Sequence, residues 1–139
     1  MKNICKLLLL FILIPSIGMA SDEKKAINKE KTISKTFEVS NDALLSVTNS
    51  YGNVNVYLWD ENKISIQVQI KVSGNNDKKV TERLNDIDIS FAATSNKVAA
   101  VTEINGKNWQ GNSNLSYEIN YVVKIPKNGN VDLNNKYGN

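Results

Sequence analysis

The 139-residue sequence predicts a mainly β protein, a β-solenoid or β-roll of stacked strands with one short helix over about 77–86; a two-sheet antiparallel β-sandwich is the alternative. Three observations lead there. First, Leu45-Ser46-Val47-Thr48-Asn49-Ser50-Tyr51-Gly52-Asn53 returns as Val131-Asp132-Leu133-Asn134-Asn135-Lys136-Tyr137-Gly138-Asn139, position 53 reappearing at 139 with a constant offset of 86. Self-similarity at a fixed offset marks repeat folds. Second, Ile64 to Val72 and Leu115 to Ile125 alternate apolar and polar residues, the pattern of strands with one buried and one wet face. Third, Gly- and Asn-containing breaks separate these runs.

The repeated Tyr-Gly-Asn reads as a turn. Gly52 and Gly138 are expected to supply a positive φ, with Asn49, Asn53, Asn135 and Asn139 as its polar supports. Asparagines at successive turns are expected to bond each other in ladders. On either side of the first turn, Leu45 and Val47, then Val54, Val56 and Leu58, point to one face. After the second copy the sequence ends at Asn139, and further rungs beyond it are expected.

In chain order, residues 1–20 have the form of a signal peptide. Lys2 and Lys6 charge the start, Leu7 to Ile14 is an unbroken apolar run, and Gly18 and Ala20 set small residues before a cleavage point at Ser21. Residues 21–35 are charge-dense and read as a flexible polar leader. Residues 36–139 form the β domain. Within it Asp77 to Asp86 reads as the helix, capped by Asn76 or Asp77, with Val80, Leu84 and Ile87 at helical spacing. Period two resumes at Ile87, Ile89 and Phe91, Lys97 to Ile104 is a less regular strand, and Asn105 to Asn114 is a polar loop around Trp109.

These segments together resemble the putative-adhesin family of bacterial envelope proteins, a repetitive β-solenoid or β-roll group related to adhesin-head domains. The likeness rests on the signal peptide, Lys35-Thr36-Phe37, the segment from Asn49 to Val56, Trp59-Asp60, the strand from Tyr117 to Pro126 and the second Tyr-Gly-Asn. It covers roughly Lys35 to Asn139. The resemblance implies an envelope address and further Gly-containing rungs. It brings no catalytic residues.

Composition narrows the chemistry. The sequence has no histidine and a single cysteine, Cys5, inside the signal peptide, so the mature chain has no disulfide, thiolate metal site or Cys nucleophile. Removing Lys2 and Lys6 from the 17 basic side chains leaves 15 against 14 acidic ones, which gives no basic footprint for nucleic acid. Asp86 and Asp88 are the nearest approach to an acid pair, and a solvated face explains them better. No calcium-loop spacing surrounds Asp42 or Asp60-Glu61. Trp59 and Trp109 flank turns and are the candidates for stacking on a ligand, whereas Tyr117 and Tyr121 share an apolar strand face and read as core.

The expectation is therefore an exported, non-catalytic envelope protein without cofactor or metal, located in the periplasm, outer envelope or at the cell surface. Its expected partners are envelope proteins or surface glycans, with no nucleic acid and no transmembrane segment in the mature chain. The alternatives are a carbohydrate-active enzyme on a β-solenoid and a periplasmic protein-binding accessory or envelope-stress component.

Overall fold

The computed structural model describes residues 24–106 and 114–139. The chain is mainly β. Its strands are β1 (Ile27–Glu38), β2 (Leu44–Ser50), β3 (Val54–Trp59), β4 (Lys63–Gly74), β5 (Ile87–Ala93), β6 (Lys97–Ile104), β7 (Ser116–Pro126) and β8 (Asn130–Lys136), with one helix, α1 (Asp77–Asp86), between β4 and β5. They form two four-stranded sheets ordered β1-β4-β7-β3 and β5-β6-β2-β8. Both sheets are mixed: β1, β4 and β5 pair antiparallel, whereas β3 with β7, β2 with β6 and β2 with β8 pair parallel.

The alternation read in the sequence builds the core. Ile64, Ile66, Val68, Ile70 and Val72 on β4 are buried, as are Ile119, Tyr121, Val123 and Ile125 on β7. From the second sheet Leu45, Val47, Val98 and Ala100 join the same cluster. Two sheets sharing one apolar layer match the two-sheet alternative, with parallel pairing where antiparallel was expected. Helix α1 starts where Asn76 Oδ1 accepts from Lys79 N at 3.0 Å, one of the orphan donors of a helix start. It presses Val80 into the core beside β4 and β1.

The repeated segments are neighbours. Strands β2 and β8 run parallel with Leu45 opposite Val131, Val47 opposite Leu133 and Asn49 opposite Asn135, so each pair carries the offset of 86 seen in the sequence. The chain crosses from the second sheet to the first at the Tyr51-Gly52-Asn53 corner and returns from β7 to β8 through a turn closed by Gly129 N to Pro126 O at 2.9 Å. One layer is thus β6 with β7, the next is β2 with β3, and β8 opens a third. The described residues contain this one in-register repetition rather than a solenoid of successive identical rungs, because β4, α1 and β5 intervene in the chain.

The leader expected over 21–35 is strand from Ile27 onward. Strand β1 pairs with β4 over its whole length, Ile27 opposite Gly74 to Glu38 opposite Lys63, while Ile27, Ile33 and Phe37 pack against the core. The backbone ladder and three apolar contacts order a segment whose charges sit on a sheet edge, where lysines discourage further pairing. At the opposite edges, Val131 and Leu133 on β8 and Tyr57 and Leu58 on β3 are exposed. Among the described residues no helix is long and apolar enough to cross a membrane. The signal-peptide reading and Trp109 lie outside the described residues.

Candidate functional site

The corners stack one above another, and their asparagines, tyrosines and glycines have separate jobs. The left-handed residues are the tyrosines, Tyr51 with φ 65° and Tyr137 with φ 58°. Gly52 and Gly138 do not take the positive φ expected of them. They are glycines because of the layer beneath. A Cβ on Gly52 would overlap the Ile119 carbonyl oxygen and lie 2.5 Å from its carbon, and a Cβ on Gly138 would overlap the Gly52 carbonyl oxygen. A bulky residue in the left-handed region costs about 1–2 kcal/mol and persists only where its surroundings fix it. For Tyr51 those surroundings are Lys136 O, which accepts from Tyr51 N at 2.8 Å, and Ile119 N, which donates to Tyr51 O at 2.8 Å.

The asparagines bond main chain, not one another as a side-chain ladder. Asn49, 1% exposed, donates through Nδ2 to Ile119 O at 2.9 Å and accepts at Oδ1 from the Thr102 hydroxyl at 2.8 Å. The Thr102 proton is thereby committed, so the Tyr121 phenol, 2.8 Å away, donates to Thr102 Oγ1. One layer up, Asn135 Nδ2 donates to Gly52 O at 2.8 Å, the same bond with Gly52 in the place of Ile119. Asn120 Oδ1 accepts from Asn53 N at 2.9 Å, and Asn53 Oδ1 accepts from Asn139 N at 3.1 Å. Tyr121 N to Asn53 O and Val54 N to Asn139 O repeat in the same way, at 2.8 and 2.9 Å. Segment Ile119-Asn120-Tyr121 of β7 is thus the floor on which the first corner sits as the second sits on the first.

This stacking lines up three tyrosine rings. Tyr51 meets Tyr117 edge-on at 4.8 Å and 78°, and lies nearly parallel to Tyr137 at 5.1 Å and 13°. Those centroid separations lie near the spacing of neighbouring strands. Burial, then the hydrogen bond the phenol makes with Tyr51, pushes Tyr117 up to about 12, with Arg83 pulling the other way. Burial likewise pushes the Tyr121 phenol up to about 12.

Beside the column runs a groove of about 900 Å³, walled by residues 28–30 of β1, 71–73 of β4 and 116–118 of β7, with both corners at its end. It carries charges of both signs. Lys29 Nζ is held by Asp77 at 2.9 Å and the Thr81 hydroxyl at 2.7 Å. Lys71 stands in register between Glu30 and Glu118. Ser73 and Ser116 place hydroxyls 2.6 Å apart in the wall.

Of the residues singled out from sequence, the eight corner positions come together here. Trp59 does not: its indole donates to Lys63 O at 2.7 Å and its ring carries the Lys124 ammonium 5.5 Å from its centre, away from the groove. Asp86 ends α1, and Asp88 Oδ1 accepts from Ile89 N at 2.8 Å; neither lines the groove. Tyr117 packs against the core, as its strand face predicts, and also lines the groove. Its spacing before the first rung residue Ile119 is the only sequence signal for that. Among the described residues no cluster of His, Cys, Asp or Glu could hold a metal ion.

The chain matches no family model. It matches no curated protein. Among solved structures it is similar to a putative adhesin from Bacteroides fragilis, with 15% identity and a TM-score of 0.37, over 78% of this chain and 41% of that one. The chain therefore spans less than half the length of that protein.

Proposed function

We propose that the protein is an exported, non-catalytic component of the cell envelope, adhesin-like in architecture, that acts by presenting a rigid binding surface to surface glycans or envelope proteins. The observation that carries this reading is the corner stack. Two copies of Asn-x-Tyr-Gly-Asn repeat the same Nδ2-to-carbonyl bond one layer apart, and that repetition holds the tyrosine rings in an ordered stack that ends in the exposed Tyr137. Chemistry at a single reactive point gains nothing from such repetition, whereas contact with an extended partner does. The signal-peptide form of residues 1–20 supports export, and the lack of histidine supports a role without general acid–base work at neutral pH.

Fractionation of cells carrying the natural protein tests the proposal. The expected result is a processed chain beginning at Ser21 in the periplasmic or outer-envelope fraction, with no turnover of polysaccharides mixed with it. An unprocessed cytosolic chain would contradict it. So would hydrolysis of a glycan that disappears in Asp88→Asn, the result expected of a carbohydrate-active enzyme.

A further inference from the structure

We propose that the groove beside the tyrosine column binds an uncharged oligosaccharide chain, with Tyr137 as its stacking platform. The proposal rests on the non-catalytic reading above and assigns a ligand class to its surface.

Three features select this ligand. The ring of Tyr137 is 77% exposed yet oriented, one face stacked on Tyr51 and the residues flanking it bonded through Lys136 O and Asn139 O. A flat, oriented ring with a polar edge suits the C–H face of a sugar, since little side-chain freedom is lost on contact. The wall beyond it offers hydroxyls at Ser73 and Ser116 and amide groups at Asn28 and Asn53, which both donate and accept, as vicinal sugar hydroxyls require. Lys29 is paired with Asp77 of α1, and Lys71 lies in register between Glu30 and Glu118, so the groove carries both signs of charge: a polyanion meets carboxylates and a polycation meets lysines.

Shape and topology point the same way. A volume of about 900 Å³ stands at the upper end of small-ligand clefts, roughly 300–1,000 Å³. It admits a short oligosaccharide in preference to one sugar. An extended peptide would need a free strand edge, but β4, which forms the middle of the wall, is paired on both sides by β1 and by β7, and β7 is unpaired on its other side only over Ser116 to Glu118, too short a stretch for a ladder. A ligand here lies on side chains, not on a backbone ladder.

The experiment is a titration of the full chain with neutral gluco-, manno-, galacto- and chito-oligosaccharides, read by saturation-transfer NMR and by tyrosine fluorescence. Saturable binding to at least one series is expected, indifferent to added salt. Tyr137→Asn removes the ring while tolerating the left-handed backbone; it should weaken binding about tenfold or more, equivalent to about 1.4 kcal/mol. Tyr137→Phe should keep the affinity, and Tyr57→Ala, an exposed tyrosine outside the groove, should leave it unchanged. Equal binding by Tyr137→Asn and the parent chain would overturn the proposal, as would salt-sensitive binding confined to charged glycans or peptides. A chain found processed in the envelope that binds no neutral oligosaccharide overturns this assignment alone. A cytosolic, unprocessed chain overturns the functional reading instead, and the titration still decides the groove.

Discussion

Replacing Gly52 by alanine separates two explanations of why a glycine is there. Gly52 is outside the left-handed region, so backbone preference alone makes alanine neutral or stabilising by about 0.4–1 kcal/mol. Stacking predicts the opposite. The new Cβ would overlap Ile119 O and lie 2.9 Å from Ile119 N, and these are main-chain atoms of a central strand that cannot swing aside. The corner must then lift from β7. Lifting breaks Asn49 Nδ2 to Ile119 O, Ile119 N to Tyr51 O, Asn53 N to Asn120 Oδ1 and Tyr121 N to Asn53 O. At about 1 kcal/mol each, with a further penalty of about 1–3 kcal/mol for the buried Asn49 amide, and allowing for partial relaxation, the net loss is about 3–5 kcal/mol. Against a typical total of about 5–15 kcal/mol that is a large fraction. Urea unfolding followed by circular dichroism measures it. Gly138→Ala meets the Gly52 carbonyl oxygen in the same way, and lifting its corner breaks Asn135 Nδ2 to Gly52 O, Asn139 N to Asn53 Oδ1 and Val54 N to Asn139 O, so it should also lose about 2–3 kcal/mol. A Gly52→Ala chain within about 0.5 kcal/mol of the parent would refute the stacking argument.

Other consequences are as direct. Asn49→Ala strips a buried donor from Ile119 O and an acceptor from the Thr102 hydroxyl, and should cost about 2–4 kcal/mol in the same urea assay. Stability should fall at alkaline pH. The unfolded chain releases tyrosine protons near 10 while Tyr121 in the fold holds its proton to about 12, so the contribution is complete below pH 10 and lost as pH rises toward 12. For Tyr121 it amounts to about 2–3 kcal/mol, and Tyr121→Phe should flatten the slope of the urea midpoint against pH across that window. Asn76→Ala removes the cap of α1 and should cost about 1 kcal/mol, visible as a lower thermal midpoint.

The sequence disclosed the fold where one physical rule dominated. Strict period two placed β4 and β7, a capping asparagine and apolar residues at helical spacing placed α1 from Asp77 to Asp86, and the returning nonapeptide placed β2 beside β8. It misled where a residue's role depends on a partner distant in sequence. Strand β1 reads as a solvated leader because its charges dominate; only β4, about forty residues on, supplies the ladder that orders it. Glycine in the corner suggested a positive φ, but that conformation falls to Tyr51 and Tyr137, and the glycine answers to a carbonyl of another layer. Both tryptophans looked like the exposed aromatics. Trp59 is occupied by Lys63 and Lys124, and the exposed ring at the groove is Tyr137, whose place is set by three tyrosines from three layers that meet only in the folded chain.

The central claim is that the two nonapeptides stack as parallel, in-register layers. Backbone nuclear Overhauser contacts between Leu44–Ser50 and Asn130–Lys136 measure this most directly. The account predicts a parallel ladder in which each residue from 44 to 50 contacts the one 86 positions later, with Asn49 beside Asn135. An antiparallel ladder, a shifted register or the absence of contacts between these segments would contradict it.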